Sequence, residues 1–324
     1  MKPGEDFRAG GAELNRSRKL AIILVAAAFM LPVLFSAAWA QGSAADSPFG
    51  DGMKLYYQKR FADSQGLFQE AFEKNPQDAM ALSFFLSAKY RTNELIQSVN
   101  FLEKRAMEGG ETPLLKAHLA IGYFTRGLID ANMMEEAHAQ LKEALTKEPD
   151  LPVANTVMGM IYYQKRLIPR AKGYFIKALK GNPKDLMALE RLGEIMMVDD
   201  KNPASAMDFF NQIIAIAPDY SDGYFYAASA QQRQGNKDEA VRLFQKCIET
   251  DPLGVLKGYD APVRIGDIYL EDKRWEEAEK YYKSSLAIDP ANSYAQTQLK
   301  KAKARGQKWE GEKVSPLKEK LETP

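Results

Sequence analysis

Six prolines, Pro76, Pro149, Pro183, Pro218, Pro252 and Pro290, are separated by 73, 34, 35, 34 and 38 residues. The first gap is about two units long, so a period near 34 runs through most of the chain. That period marks a stacked array of helical hairpins rather than a fold with one closed core. A hairpin this small leaves an apolar face uncovered, so the core must form between neighbouring hairpins. One long concave face then remains available, and a face of that kind usually binds other proteins.

The residues between the prolines repeat as well. Twelve before each proline stand Ser64, Ala137, Ala171, Ala206, Ala240 and Ala278. Eight before stand Phe68, Leu141, Phe175, Phe210, Phe244 and Tyr282. Five before stand Ala71, Ala144, Ala178, Ile213, Cys247 and Ser285. Steps of four and three place these side chains on one helix face. The small residues allow close approach of a second helix, and the large side chain fills the space beside them. Proline then ends the helix, because it lacks an N–H and its ring clashes with the preceding turn. An earlier helix in several units carries Gly52, Gly159, Gly193 or Gly266. A glycine inside a helix costs about 1 kcal/mol relative to alanine, which points to close packing at those positions. The unit reads as helix A, short turn, helix B, proline.

This pattern resembles the tetratricopeptide repeat. Residues 152–185 fit best, with Gly159, Tyr162, Ala171, Phe175, Ala178 and Pro183 in place. Residues 259–292 fit nearly as well through Gly266, Tyr269, Trp275, Ala278, Tyr282 and Pro290. The resemblance covers about 45–292. It implies an all-α fold, a right-handed α-solenoid of about seven hairpins closed by a C-terminal cap helix. Residues 79–112 lack the exit proline but keep Phe84, Phe85, Tyr90 and Leu102. Unit 115–151 has extra residues around 127–132, and a loop at 253–260 lengthens the connection before the last unit.

Of the 324 residues, 45% are hydrophobic and 27% charged, which suits a folded array and not bulk disorder. The ends differ from the middle. Arg16, Arg18 and Lys19 precede an uncharged, mostly apolar run at 20–35, and Ala38-Trp39-Ala40 supplies a small–x–small cleavage pattern. Residues 1–40 are therefore expected to be a secretion signal cut before Gln41, and 41–47 a short linker. The repeats would then lie in the periplasm or outside the cell of a bacterial source. An uncleaved segment would instead anchor them to the inner membrane, facing the periplasm. Residues 48–305 are expected to form the solenoid with its cap, and the Lys/Glu-rich 306–324 a disordered tail. Without residues 1–40 the chain has 39 basic and 40 acidic residues, which gives no support for nucleic-acid binding.

Catalytic constellations are missing from the sequence. Cys247, the single cysteine, cannot form an internal disulfide and takes a place held by alanine in other units. His118 and His138 are the two histidines, on opposite helices of one hairpin, with no Cys/His cluster or HExxH motif around them. Glu190 and Glu194 share a helix face beside Arg191, which reads as a solvated or partner-contacting acidic patch. Gly109-Gly110 lacks the context of a phosphate-binding loop, and no G-x-S-x-G elbow is present. The expectation is a non-catalytic chain without cofactor or metal. The rival, an enzyme acting on cell-wall polymer, would need a closed pocket and a strongly shifted acid at Glu190 or Glu194.

In the family the concave surface is lined mainly by helix A, so the resemblance implies a partner-binding lining. It begins with Met53, Tyr56 and Tyr57, then Tyr90 and Arg91, then Tyr123 and Arg126. The centre offers Met160, Tyr163, Gln164, Glu190, Glu194 and Met197, and the last turns Phe225 and Arg233. Tyr56, Tyr90 and Tyr163 stand at equivalent positions. Tyrosine joins a large apolar surface to a polar tip, and methionine adapts to irregular partners. The lining suits an extended or helical peptide segment. The expected role is an adaptor or scaffold in the cell envelope; the alternative is a membrane-anchored subunit of a secretion, pilus or polysaccharide-export machine.

Overall fold

The computed structural model describes residues 47–127 and 131–319. The expected signal at 1–40 lies outside the described residues. Fifteen α-helices follow one another in the described part of the chain. They pair as α1 (Pro48–Tyr57) with α2 (Phe61–Lys74), α3 (Ala79–Arg91) with α4 (Leu95–Glu108), and α5 (Pro113–Gly127) with α6 (Ala131–Lys147). Next come α7 (Pro152–Gln164) with α8 (Ile168–Gly181), and α9 (Leu186–Val198) with α10 (Pro203–Ile216). The array ends with α11 (Ser221–Arg233) and α12 (Lys237–Thr250), α13 (Ala261–Glu271) and α14 (Trp275–Ile288), then α15 (Ser293–Glu319). These are the seven expected hairpins and their terminal helix.

The sequence period has a direct packing cause. Ser64, Ala137, Ala171, Ala206, Ala240 and Ala278 are all 0% exposed, and so are Phe68, Leu141, Phe175, Phe210, Phe244 and Tyr282. The glycines of the A helices explain why. A Cβ added to Gly159 would lie 2.6 Å from the Phe175 ring, and one at Gly266 2.7 Å from the Tyr282 ring. In four hairpins a ring of helix B thus lies on the bare backbone of helix A: Phe68 on Gly52, Phe175 on Gly159, Phe210 on Gly193 and Tyr282 on Gly266. Between the helices a single residue takes the left-handed conformation that reverses the chain. Lys59, Asn93, Arg166, Lys201 and Lys273 have φ of 59°, 63°, 58°, 53° and 60°, and Gly235 has 84°. A non-glycine residue pays roughly 1–2 kcal/mol for that conformation, so the packing of the flanking helices must hold it.

Residues 79–108 form a hairpin, but an unusual one. Helix α3 touches α4 only lightly, packs on α2 and α5, and also reaches α7 and α9. Its burial runs all the way round, through Ala79, Met80, Ala81, Leu82, Phe84, Phe85, Leu86 and Ala88. A helix apolar on every side belongs inside a molecule. The Phe84 ring of α3 meets Tyr220 at 6.1 Å, and the first hairpin follows it inward, where Tyr57 bonds to Ser221, 164 residues away. The array therefore folds its N-terminal turns against the A helices of its later units.

At the other end, α15 covers the last hairpin with Ala295 and Ala302. It runs to Glu319, past Arg305, where the sequence places the end of the cap and the start of a disordered tail. Lys, Glu and Gln favour helix in this stretch, whereas Gly306, Gly311 and Pro316 disfavour it. Among the described residues no helix is long and apolar enough to cross a membrane.

Candidate partner-binding site

The inward fold of the N-terminal turns decides which part of the expected lining stays accessible. Met53, Tyr56 and Tyr57 are 0%, 1% and 3% exposed, so they are core residues and not groove residues. The reason is local: Tyr56 lies edge-on to Phe61, Phe68 and Phe84, and its hydroxyl meets Ser87 Oγ at 2.7 Å. Tyr57 accepts a hydrogen bond from the Ser221 N–H at 2.9 Å and donates to Ser221 Oγ at 3.0 Å. Tyr90, equivalent to Tyr56 in sequence, is exposed instead, and Arg91 beside it stacks its guanidinium over the Phe61 ring. Tyr123 is half-buried and donates to Glu103 Oε1 at 2.9 Å; Arg126 is half-buried on the same helix. Met160 and Tyr163 are half-buried and Gln164 exposed, with the Arg191 guanidinium 5.7 Å from the Tyr163 ring.

Glu190 departs from the solvated or partner-contacting acidic patch expected for it. It is buried, because Tyr220 donates to Glu190 Oε2 at 2.5 Å and Arg191 bridges Glu190 Oε1 at 2.6 Å. Arg191 also pairs with Glu194, which is half-buried. Both carboxylates are thus held by partners of this chain.

Four residues of the expected lining do come together. Glu194, Met197, Phe225 and Arg233 wall a cleft of about 230 Å³ between α9, α11 and α13. Tyr226, Ser229 and Gln232 complete the α11 side. Lys257, Asp260 and Arg264 form the opposite rim, and the residue pattern of the repeat gave no sign of them. The signal was the lengthened connection at 253–260, which interrupts the period.

That connection is held in place by two buried aspartates. Asp251, fully buried, accepts hydrogen bonds from the backbone N–H groups of Val255 (2.8 Å), Leu256 (2.7 Å) and Gly258 (3.1 Å). Asp222 accepts one from Lys257 N at 3.1 Å and a weaker one from the Ser221 hydroxyl at 3.3 Å. Burial, then the nearby Glu190 charge, pushes the Asp222 carboxyl from its ordinary 3.8 up to about 7. The short 3-10 turn Lys257–Tyr259 results, and it projects the Lys257 ammonium 5.7 Å above the Phe225 ring.

Other candidates resolve as structure. His118 is buried, with Nε2 donating to the Pro76 carbonyl at 2.8 Å, and burial lowers its pKa from 6.5 to about 4. His138 lies edge-on to Tyr162 at 6.1 Å. Cys247 is buried and its thiol pKa is pushed up by that burial. Among the described residues no group of three His, Cys, Asp or Glu is placed to hold a metal ion.

With this geometry in view, the comparisons with known proteins are consistent. A tetratricopeptide repeat model matches residues 156–221 and 227–293. These two stretches carry tetratricopeptide repeats. It is 22% identical over 255 residues to anaphase-promoting complex subunit 3 of Schizosaccharomyces pombe, covering 75% of this chain and 36% of that protein. It is 25% identical over 177 residues to human protein O-mannosyl-transferase TMTC3, covering 53% of this chain and 19% of that one. The chain thus spans well under half the length of either curated relative. Among solved structures, PilW, described as a widely conserved type IV pilus biogenesis factor, aligns with a TM-score of 0.53 at 18% identity, over 64% of this chain and 94% of that one. MamA aligns with a TM-score of 0.46 at 22% identity, over 54% and 97%. The family is generally non-catalytic, and its solenoids serve as protein-interaction scaffolds.

Proposed function

We propose that this chain is a non-catalytic adaptor that holds a segment of a partner protein in the cleft between α9, α11 and α13. One observation carries the reading. The N-terminal turns cover much of the A-helix face, yet this stretch keeps an open cleft with a mainly polar, charged lining over a floor of the largely buried Met197 and Phe225. Such a combination of apolar floor and polar edge suits a peptide side chain with its backbone outside. Its test is site-specific photo-crosslinking in the native source. A crosslinker at Ser229 or Gln232 is expected to capture a discrete partner that one at exposed Lys177 of α8 does not. A Ser229→Trp variant, which fills the cleft, is expected to lose that partner while keeping its helical content. Equal capture from Lys177, or no effect of Ser229→Trp, would move binding off this cleft.

The same proposal places the adaptor in the cell envelope of a bacterium. Support comes from the basic cluster Arg16, Arg18 and Lys19, the apolar run at 20–35 and the Ala38-Trp39-Ala40 pattern. Intact mass of the native protein tests it. A chain beginning at Gln41 is expected; retention of residues 1–40 in a membrane fraction would favour the anchored alternative, and their retention in the cytosol would end the export reading.

A further inference from the structure

We infer that the α9–α11–α13 cleft selects an acidic partner segment, one that sets an Asp or Glu side chain beside an aromatic or large aliphatic one. The inference rests on the proposed adaptor role and names the chemistry of its partner. Charge on the rim is unequal in availability, not merely in number. On the acidic side, Glu194 is already paired with Arg191, and Asp260 lies against Tyr259. On the basic side, Arg233 and Arg264 are exposed and make neither an ion pair nor a side-chain hydrogen bond within the described residues, although the Arg264 charge acts on Asp267 one turn away. Lys257 makes no ion pair within the described residues, although its charge acts on the buried Asp222 carboxyl, and its ammonium lies over the Phe225 ring. Three cations with open hydrogen-bonding capacity therefore surround a floor formed by the largely buried Phe225, Tyr226 and Met197.

The basic rim is built rather than incidental. Lys257 reaches the cleft only because Asp251 and Asp222 grip the backbone of the inserted connection, as described above. Arg264 enters from the first turns of α13, and Arg233 from the last turn of α11. Two guanidiniums can each take a carboxylate through two parallel N–H donors, while the ammonium acts as a point charge. An anion at the rim with an apolar neighbour on the ring wall would satisfy both kinds of surface at once. A basic segment would meet three like charges there, which is costly wherever water is excluded.

The test is a displayed random-heptapeptide library selected on the whole protein, then affinity measurement of the enriched peptides by fluorescence anisotropy. Enriched peptides are expected to carry Asp or Glu next to Phe, Tyr, Trp, Leu or Met. Affinity should fall at least tenfold in Arg233→Glu/Arg264→Glu and weaken when salt rises to ~0.5 M, where the screening length shrinks to a few ångströms. The double variant is checked by its melting temperature; should it fold poorly, Lys257→Gln and the salt series on the wild type decide. Arg233→Lys/Arg264→Lys should retain most of the binding. Enrichment of basic or neutral peptides, affinity indifferent to salt and to charge reversal, or no enrichment at all would overturn the inference. Its failure is separable from failure of the adaptor reading. A partner captured from Ser229 in the presence of neutral or basic library peptides leaves the adaptor standing and removes only the acidic preference.

Discussion

At the scale of single residues, four hairpins turn on one contact, a ring of helix B on a glycine of helix A. Gly159→Ala puts a Cβ into the Phe175 ring, which neither helix can avoid without moving. It is expected to destabilise the chain by about 1–3 kcal/mol, the usual cost of overpacking, as read from urea unfolding. Buried carboxyls set the response to pH. Asp185 caps α9 by accepting from Ala188 N at 3.0 Å and from the Thr156 hydroxyl at 2.5 Å, and burial raises its pKa from 3.8 to about 7. A raised folded-state pKa gives stability that is whole below about 3.8 and is lost as pH rises through about 7. His118 acts in the opposite sense. Its pKa falls from 6.5 to about 4, so its contribution is present above 6.5 and lost as pH drops through 4. Asp185→Asn should therefore gain stability relative to wild type between about pH 4 and pH 7, measured as the shift in unfolding midpoint. A constant difference across that range would show that Asp185 does not titrate as its burial requires. The proline period made the ring positions legible, because ring, small residue and proline recur in fixed register. It did not reveal Asp185 or Asp222, whose surroundings come from helices far off in sequence.

Whole elements were read from the same period, and the departures from it mark where the chain does something particular. The seven hairpins follow from the repeat, but the reversal between their helices does not. Lys and Arg in a left-handed turn carry no sequence signature, unlike Gly235. Gly235→Ala is expected to cost about 1 kcal/mol from the positive φ, with Lys273→Gly as the control that loses little or gains. Thermal unfolding checks the pair, and equal losses in both would mean that the turn is not conformationally strained. The connection at 253–260 was visible only as extra length. Its order depends on Asp251, so Asp251→Ala should leave three backbone N–H groups without their acceptor. That change is expected to cost about 1–3 kcal/mol and to raise hydrogen exchange at Val255, Leu256 and Gly258 first. Exchange that stays slow there would mean that the loop is held by other contacts. The cleft was only half legible for the same reason. Glu194, Met197, Phe225 and Arg233 came from the periodic positions, whereas Lys257 and Arg264 depend on how the insertion folds.

On the scale of the whole molecule, the array bends back on itself, and no local pattern announces that. Equivalent positions then acquire unequal roles: Tyr56 is buried, Tyr163 is half-buried and Tyr90 is exposed. Closure rests on the all-round apolar helix α3 and on the bonds between Tyr57 and Ser221, supported by the ion pair of Lys54 with Asp219 at 3.7 Å. Tyr57→Phe keeps the ring but leaves the buried Ser221 N–H without its acceptor, an expected loss of about 1–3 kcal/mol in urea unfolding. The measurement that tests closure most directly is hydrogen exchange of the unliganded protein, resolved by helix. Helices α1 and α3 should exchange in the same slow class as α9 and α11, and Tyr57→Phe should quicken exchange at both partners of the contact. Rapid, independent exchange of α1–α4 while α5–α14 stay protected would contradict the account. It would mean that the N-terminal turns do not cover the inner face, and that the partner-binding groove is longer than the cleft described here.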